Sequence, residues 1–297
     1  MTLSTFIQQL INGASLGSMY ALIAIGYTMV YGVLRLINFA HGDIMMVGAF
    51  LAFFSYSIGL PFSIAVLISI VGASIVGVLT DKIAYKPLRD APRISLLITA
   101  IGISFFLENL FTVLFGATPK PFKAPQILTT TFHIGSIYLP INVIIIPILT
   151  LIILLIVLYI LYKTKYGMAI RALAFDITTV KLMGINADKI IMIVFIIGSS
   201  LAAIGGIFYA TSYTTIDPLM GILVGLKAFA AAVLGGIGSV TGAVIGGFIL
   251  GFTEIIVVAF FPDLGGYKDA FAFFFLILVL LFKPTGIMGQ DLERTRF

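Results

Sequence analysis

Residues 141–162 read INVIIIPILTLIILLIVLYILY, a run that contains no charged side chain. A helix needs about 20 predominantly apolar residues to cross the hydrocarbon core of a bilayer. A membrane-spanning strand would instead alternate apolar and polar residues over about 10 positions. The continuous apolar run therefore predicts a transmembrane α-helix.

Similar apolar runs fill most of the remaining sequence. The candidate spans lie at about 6–33, 44–58, 61–80, 94–117, 141–162, 190–212, 221–239, 241–261 and 267–283. The run at 44–58 is too short to cross a bilayer alone. The pattern predicts an all-α protein, a polytopic integral membrane helical bundle of about 8–9 transmembrane helices with discontinuous or re-entrant segments. Residues 1–297 are expected to form a single domain.

The composition agrees with this class and excludes several others. Hydrophobic residues make up 61% of the chain and charged residues 10%, whereas soluble proteins are about 25% charged. With no cysteine and two histidines, the sequence predicts no metal site. It carries no phosphate-binding loop for ATP and no catalytic constellation, so neither an enzyme nor a cofactor is expected. The basic residues form no dense run that would indicate nucleic-acid binding.

The basic residues predict how the chain is oriented. Segments 81–93 and 163–189, together with the tail from residue 283, hold twelve of the 17 lysines and arginines. Because basic loops stay in the cytoplasm, both loops and the C-terminus are predicted to be cytoplasmic, in a multi-pass protein of the cell membrane. The proline-rich connector 118–140 is then expected outside, together with the N-terminus.

A polar interruption between the first two apolar runs, Asn38 to Asp43, is the first candidate for a functional segment. It fits a discontinuous helix in which Gly42 permits the break and Asp43 caps the helix that follows. Irregular backbone inside a membrane is tolerated where it lines a cavity. The alternative is an ordinary cytoplasmic turn with a capping aspartate.

Polar residues inside the candidate spans form the second candidate group. Glu108, Asn109 and Glu254 would be costly in lipid, so they are expected to face the bundle interior. The alternative is a structural hydrogen bond or a place near the interface, and Lys227 is expected to snorkel. The residues predicted to line a substrate path are Asn38, His41, Gly42, Asp43, Glu108, Asn109 and Glu254.

The loop 163–189 is the third candidate. Its spacing of small and apolar residues predicts one amphipathic helix from Met168 to Met183, which ends at Gly184. Such a helix outside the membrane either docks in a groove on a partner or lies on the lipid surface.

Three motifs together resemble one transporter family. They are Gly26–Asp43, then Arg171–Asp176 with Leu182–Asn186, and finally Phe229–Ser239 with Gly242–Gly247. Over about residues 5–290 the chain resembles the permease subunits of branched-chain amino acid ABC importers, of the LivH type.

The resemblance implies a function and a set of partners. The chain would translocate branched-chain, hydrophobic amino acids across the cytoplasmic membrane. It would work with a second related permease, two cytoplasmic ATPases and an extracytoplasmic amino-acid-binding protein, and ATP would be hydrolysed on a separate chain. The residues that would dock onto the ATPase are Arg171, Ala172, Asp176, Gly184, Ile185 and Asn186.

Three other functions stay open from the sequence. The resemblance extends to ABC permeases for urea and short amides. An ion-coupled secondary transporter would use intramembrane carboxylates such as Glu108 and Glu254. A channel or structural membrane subunit, which would need no ATPase, is the remaining rival.

Overall fold

The computed structural model describes residues 3–89, 91–134 and 137–289. Its α-helices are α1 Leu3–Leu34, α2 His41–Ser57, α3 Phe62–Leu79, α4 Arg93–Phe115, α5 Gln126–Thr129, α6 Ile141–Lys163, α7 Lys165–Phe175, α8 Ile177–Leu182, α9 Ala187–Tyr213, α10 Met220–Gly235, α11 Val240–Phe260 and α12 Lys268–Phe282. A π-helical turn, Thr80–Tyr85, continues α3, and 3-10 turns occupy Lys86–Leu88 and Pro262–Tyr267. The short strands β1 Lys120–Pro121, β2 Thr131–Ile134, β3 Ile137–Pro140 and β4 Thr215–Ile216 pair as β1–β4 and β2–β3, both antiparallel.

Each of the nine apolar segments predicted from the sequence is a helix. Within the described ranges, seven helical segments are long and apolar enough to cross a membrane. The other two, α2 and α10, have 17 and 16 residues. At 1.5 Å per residue they reach about 25 Å, which is less than the roughly 30 Å of a hydrocarbon core. The chain is therefore a polytopic helical membrane protein in which two helices are short.

Helices α1 and α9 form the centre of the bundle, and the other helices pack around them. Side chains of α1 from Tyr20 to Ile25 are almost completely buried. Helix α11 lies directly against α1 because glycines face each other across the contact. A Cβ atom added at Gly17 would lie 2.8 Å from the Cα of Phe248, and one added at Gly251 would overlap the backbone of Gly17. The small-residue pairs of the sequence thus serve close helix packing.

The chain folds back into the bundle after α1. The ring of His41, the first residue of α2, lies 4.6 Å from the ring of Tyr27. Tyr27 precedes the end of α1 by seven residues, or about 10 Å. Helix α2 therefore begins inside the bundle, as the predicted interruption requires. A second break separates α10 from α11, where Gly236 and Gly238 have φ values of 107° and 96°.

The basic segments 81–93 and 163–189 meet at one end of the bundle. The ammonium of Lys86 lies 2.7 Å from the carboxylate of Asp188. The start of α1 lies at the other end, where Gln8 donates a hydrogen bond to the carbonyl of Tyr138, 3.0 Å away. These two loops therefore lie at the same end of the bundle. Arg294 and Arg296 of the basic tail, and with them the predicted position of the C-terminus, lie outside the described residues.

The predicted single helix from Met168 to Met183 is wrong, because the loop contains two helices. Asp176 stands between α7 and α8, and its carboxylate accepts a hydrogen bond from the backbone N–H of Thr178 at 2.8 Å. An aspartate at this position caps a new helix instead of continuing the old one. The predicted stop at Gly184 is confirmed, with a φ of 78° that favours glycine.

Candidate functional site

The break between α1 and α2 is held by one buried hydrogen bond. The Tyr85 hydroxyl, on the π-helical turn, donates to Asn38 Oδ1 over 2.6 Å. The chain reverses at Arg35, whose φ of 51° is uncommon for a non-glycine residue. Both Asn38 and Tyr85 are buried, so this contact ties the break to the segment that follows α3.

Two details predicted for the break are wrong. Asp43 does not cap α2, because Ala40 occupies the N-cap position and offers no side-chain acceptor. Asp43 is the third residue of the helix, and its carboxylate points toward α4. Gly42 is helical too, and its role is close packing: a Cβ there would overlap the carbonyl of Gly221 and lie 2.9 Å from the Cα of Gly225.

Asp43 and Glu108 line a cavity of about 230 Å³ between α1, α2, α4 and α10. The Ser104 hydroxyl lies 2.5 Å from Asp43 Oδ2 and 3.2 Å from Glu108 Oε1. A hydroxyl has one proton, so it can donate to only one of the two carboxylates. The other oxygen of Asp43, Oδ1, is buried and has no hydrogen-bond partner among the described residues.

The site therefore has two carboxylates and, within the ranges that the structure describes, no cationic side chain to balance them. None of the ion pairs found in the described part of the chain includes Asp43 or Glu108. A buried carboxylate without a partner is strongly unfavourable. The arrangement is suited to a cationic group with several N–H donors.

The remaining cavity wall is apolar, and sequence analysis did not identify it. The wall residues include Tyr27, Phe39, Ile101, Phe105, Ile222 and Leu226. Ser104 could have been found, because residues four apart share one face of a helix and Ser104 precedes Glu108 by four. The contribution of α10, through Gly221 and Ile222, is a long-range contact that no local pattern signals.

Five of the residues predicted for a substrate path are not part of this cavity wall, and two of them, Asn38 and Gly42, hold the break and the helix packing described above. Asn109 is exposed on another face of α4, where its side chain donates to the carbonyl of Phe105 at 2.7 Å. His41 is buried against Tyr27 and is not part of the cavity wall. Glu254 sits in a separate cluster described next.

Glu254 is part of a buried ion cluster that joins four helices. Its carboxylate lies 3.1 Å from the ammonium of Lys227 and 3.1 Å from the Tyr20 hydroxyl. The same ammonium lies 2.5 Å from Asp269 on α12. Lys227 is only 6% exposed, so the prediction that it snorkels is wrong. The two carboxylates take the place of water around its ammonium, and the Asp269 side chain is itself 34% exposed.

The loop residues predicted to dock onto a partner divide into two groups. Asp176, Gly184 and Asn186 are exposed, and the stretch Gly184–Asn186 lines an open hollow of about 380 Å³. Ile185 is half-buried beside them. Arg171 is exposed too, but its guanidinium donates to the Leu161 carbonyl. Ala172 is partly buried against the core below the loop.

The loop also exposes apolar side chains that the sequence did not single out. Phe175, Leu182 and Met183 are 68%, 84% and 73% exposed. They lie at the ends of α7 and α8, beyond the helix face that packs on the bundle. An exposed apolar group with a polar rim is typical of an interaction surface. We call Phe175, Asp176, Leu182, Met183 and Gly184–Asn186 the loop surface.

Salt bridges connect the loop surface to the break. Arg89 lies 2.5 Å from Asp188, at the start of α9, and 2.6 Å from Asp81 on the π-helical turn. That turn also carries Tyr85, the partner of Asn38. Two ion pairs and one hydrogen bond thus connect Asn186 and its neighbours with the residues before α2.

Comparison with known proteins gives consistent matches over nearly the whole chain. Residues 9–280 match the family described as branched-chain amino acid transport system / permease component. The high-affinity branched-chain amino acid transport permease BraD of Pseudomonas aeruginosa is 41% identical, with 96% of each chain covered. LivH of Escherichia coli K12, described in the same terms, is 40% identical over 96% of each chain.

Solved structures show the same fold at low sequence identity. PsaBC from Streptococcus pneumoniae has a TM-score of 0.51 and 14% identity, over 92% of this chain and 91% of that one. An inward-facing putative metal-chelate type ABC transporter has a TM-score of 0.51 and 13% identity, over 93% and 87%. The helical arrangement of this chain therefore resembles the fold of both structures.

Proposed function

The chain belongs to the family of permease components of branched-chain amino acid transport systems, and from this premise we propose that it moves branched-chain, hydrophobic amino acids across the cytoplasmic membrane. It does so as one single-domain permease of an ATP-binding-cassette importer. Its relatives are transport subunits, not enzymes, and the energy for transport comes from ATP hydrolysed on another chain.

The carboxylate pair in the cavity is the observation that carries the substrate assignment. Asp43 and Glu108 share one serine proton and lack a cationic partner in the described structure. The α-ammonium of an amino acid is a cation with three N–H donors, and this is what the pair lacks. The apolar wall formed by Ile101, Phe105 and Leu226 suits an aliphatic side chain.

The carboxylate of the substrate would meet helix N-termini. Helices α2 and α10 both begin beside the cavity, through Asp43 on one and through Gly221 and Ile222 on the other. The first N–H groups of a helix have no intrahelical acceptor and favour an anion. Asp43 occupies the start of α2, and at the start of α10 the N–H groups of Met220 and Ile222 already donate to the carbonyls of Asp217 and Leu219. We therefore place the substrate carboxylate at the N–H of Gly221.

The same features argue against urea and short amides as substrates, and they remove Glu254 from the carboxylates that an ion-coupled transporter could use. Urea and short amides are neutral, so they would leave the two carboxylates without a counter-charge. An ion-coupled transporter that used Glu254 would need this carboxylate to be available, whereas Lys227 already pairs with it. An amino acid satisfies the cavity better than either alternative.

The loop surface is the place where we expect a cytoplasmic ATPase to dock. In this arrangement the end of the bundle that carries segments 81–93 and 163–189 faces the cytoplasm, as the basic residues predict. The complete importer would contain a second permease, two ATPases and an external binding protein. Exposed Phe175, Leu182 and Met183 would supply the apolar contact.

The test is uptake of labelled leucine by the complete importer in proteoliposomes that contain ATP. Asp43→Asn removes the charge that would meet the ammonium while it keeps the shape of the side chain. We expect uptake to fall about 10–100-fold, since a hydrogen bond to a charged group contributes about 1.5–3 kcal/mol. Assembly with the ATPases should be unchanged.

Asn109→Ala is the matched control, because Asn109 lies on the same helix as Glu108 but outside the cavity. It should leave uptake at the wild-type rate. Wild-type uptake by Asp43→Asn would contradict the ammonium site. Uptake of urea or acetamide that exceeds leucine uptake would contradict the substrate class.

A further inference from the structure

A long apolar groove lies between α3 and α6, on the side of the molecule away from the carboxylate cavity. Its volume is about 450 Å³, within the roughly 300–1,000 Å³ typical of ligand pockets. Val66 and Ile70 of α3 form one wall, Leu149 and Ile153 of α6 form the other, and Ile207 of α9 lies at the floor. Neither the substrate path nor the loop surface uses this groove.

The length of the groove matches one leaflet of a bilayer. Along α6 it runs from Asn142 to Ile153, which is about 16 Å at 1.5 Å per residue. The hydrocarbon core of a bilayer is roughly 30 Å thick, so each leaflet contributes about 15 Å. The groove begins at the first turn of α6, near one membrane surface, and ends near the middle of the span.

The groove is slender and apolar. Helix α3 bounds one side, α6 bounds the other, and α9 lies between them. A single hydrocarbon chain is the slender apolar object that the membrane supplies at this depth.

Neither bound water nor an empty space is favourable in the groove. Its long walls are lined by aliphatic and aromatic side chains, and water does not settle where it finds no polar partners. An empty space of this size would deprive the lining atoms of van der Waals contact. A flexible chain that fills the space restores this contact without the loss of a hydrogen bond.

The upper end of the groove carries one polar group that needs a partner. Asn142 is 8% exposed, and its amide Oδ1 is buried without a hydrogen-bond partner among the described residues. The neighbouring hydroxyl of Thr211 already donates to the carbonyl of Ile207 at 2.8 Å. The amide lies where the polar part of a lipid would be if its chain filled the groove, and its oxygen would accept from an N–H or O–H of the headgroup, because ester oxygens have no proton to donate.

We propose that this groove binds one acyl chain of a membrane phospholipid, with the polar end of that chain beside Asn142. The acyl chain fills the space between α3 and α6 and packs on α9. Only 17% of the most apolar stretch of α6 is buried within this chain. The lipid is therefore a structural part of this side of the permease.

A phospholipid that carries a photoactivatable diazirine in the middle of one acyl chain tests the proposal. The probe is reconstituted with the complete importer, irradiated, and mapped by mass spectrometry of the permease peptides. We expect Leu149→Trp, which fills the groove, to lower labelling of α3 and α9 at least fivefold. Leu151→Trp adds the same bulk to the exposed face of α6, at a residue 56% exposed, and should leave labelling unchanged.

Equal labelling of α9 in both variants would overturn the proposal, as would labelling confined to the exposed face of α6. A cysteine scan keeps the test independent of folding defects, because the natural chain has no cysteine. Leu149→Cys should form no cross-link with a second permease. Efficient cross-linking at this position would show that a protein neighbour, and not a lipid, covers the groove.

Discussion

At the scale of single residues, the buried carboxylates of Asp43 and Glu254 differ in whether a cation pairs with them. Glu254 pairs with Lys227 and accepts a hydrogen bond from Tyr20. Asp43 shares a serine hydroxyl with Glu108 and has an oxygen without a partner. A carboxylate whose charge is already matched is suited to structure, and one whose charge is unmatched is suited to binding.

The pairing of Lys227 predicts a stability effect that is independent of transport. Lys227→Met removes the ammonium and leaves Glu254 as a buried, unpaired charge, so the free energy of unfolding should fall by about 3–5 kcal/mol. The measurement is thermal unfolding of the purified permease in detergent, read as a lower apparent Tm.

A second variant separates lost charge pairing from lost packing. Lys227→Met combined with Glu254→Gln removes both charges and should recover most of the lost Tm, because no unpaired carboxylate stays at position 254. If the single variant unfolds at the wild-type temperature, the ion cluster does not stabilise the bundle.

The sequence identified Asp43, Glu108 and Glu254 as candidates but could not show which of them pairs with a cation and which does not. Intramembrane charge is a local signal, so each residue could be found by its place in an apolar run. Which of them pairs with Lys227 depends on how α10, α11 and α12 pack, and Lys227 and Glu254 are 27 residues apart in the chain. The spacing of Ser104 and Glu108 could be recognised on one helix, but the contact of Ser104 with Asp43 depends on how α2 lies beside α4.

At the scale of elements, a series of side-chain contacts links the loop surface with the break. It runs from Asp188 to Arg89, from Arg89 to Asp81 on the π-helical turn, and from Tyr85 on the same turn to Asn38. Single π-helical turns within α-helices occur frequently at functional sites. Here the turn places Asp81 toward Arg89 and Tyr85 toward Asn38. A movement of the loop would therefore reach the residues that precede α2 and the cavity.

This link predicts that Tyr85→Phe uncouples ATP hydrolysis from transport. The variant loses only the hydroxyl that donates a hydrogen bond to Asn38, so assembly and basal ATPase activity should stay normal. Leucine uptake per ATP hydrolysed should fall about 5–10-fold, since the loss of one buried hydrogen bond corresponds to about 1–1.5 kcal/mol. Uptake and phosphate release are measured on the same proteoliposomes.

Tyr159→Phe is the control for this experiment, because the Tyr159 side chain is 64% exposed on α6. Its ratio of uptake to ATP hydrolysis should equal that of the wild type. An unchanged ratio in Tyr85→Phe would show that the contact holds the fold without transmitting movement.

The elements themselves were largely predictable, and the exceptions have physical causes. The nine apolar helices follow from composition over about 20 residues, which the sequence carries locally. The helix predicted from Met168 to Met183 failed at Asp176, where a capping preference outweighed the apolar spacing. The role of Gly42 was missed because it depends on Gly221 and Gly225 in another helix.

At the scale of the whole molecule, the bundle has three separate regions to which we assign different tasks. The carboxylate cavity lies between α1, α2, α4 and α10, and the loop surface lies at the end where segments 81–93 and 163–189 meet. The apolar groove lies on the far side, between α3 and α6. This separation is consistent with a subunit that takes its energy from one partner and its substrate from another.

The loop surface offers the most direct test of the central claim, which is that another polypeptide powers this permease. Gly184 and Gly59 both have positive φ, at 78° and 89°, and a Cβ added at either would meet open space. Gly184→Trp and Gly59→Trp therefore carry the same backbone strain and the same added bulk, but only the first lies on the loop surface.

The measurement is co-purification of the tagged permease with its ATPases from native membranes in mild detergent, followed by ATP-driven leucine uptake after reconstitution. We predict that the wild type and Gly59→Trp retain two ATPases and transport leucine, whereas Gly184→Trp loses both the ATPases and the uptake. A permease that purifies alone and still accumulates leucine on an ion gradient would contradict the account.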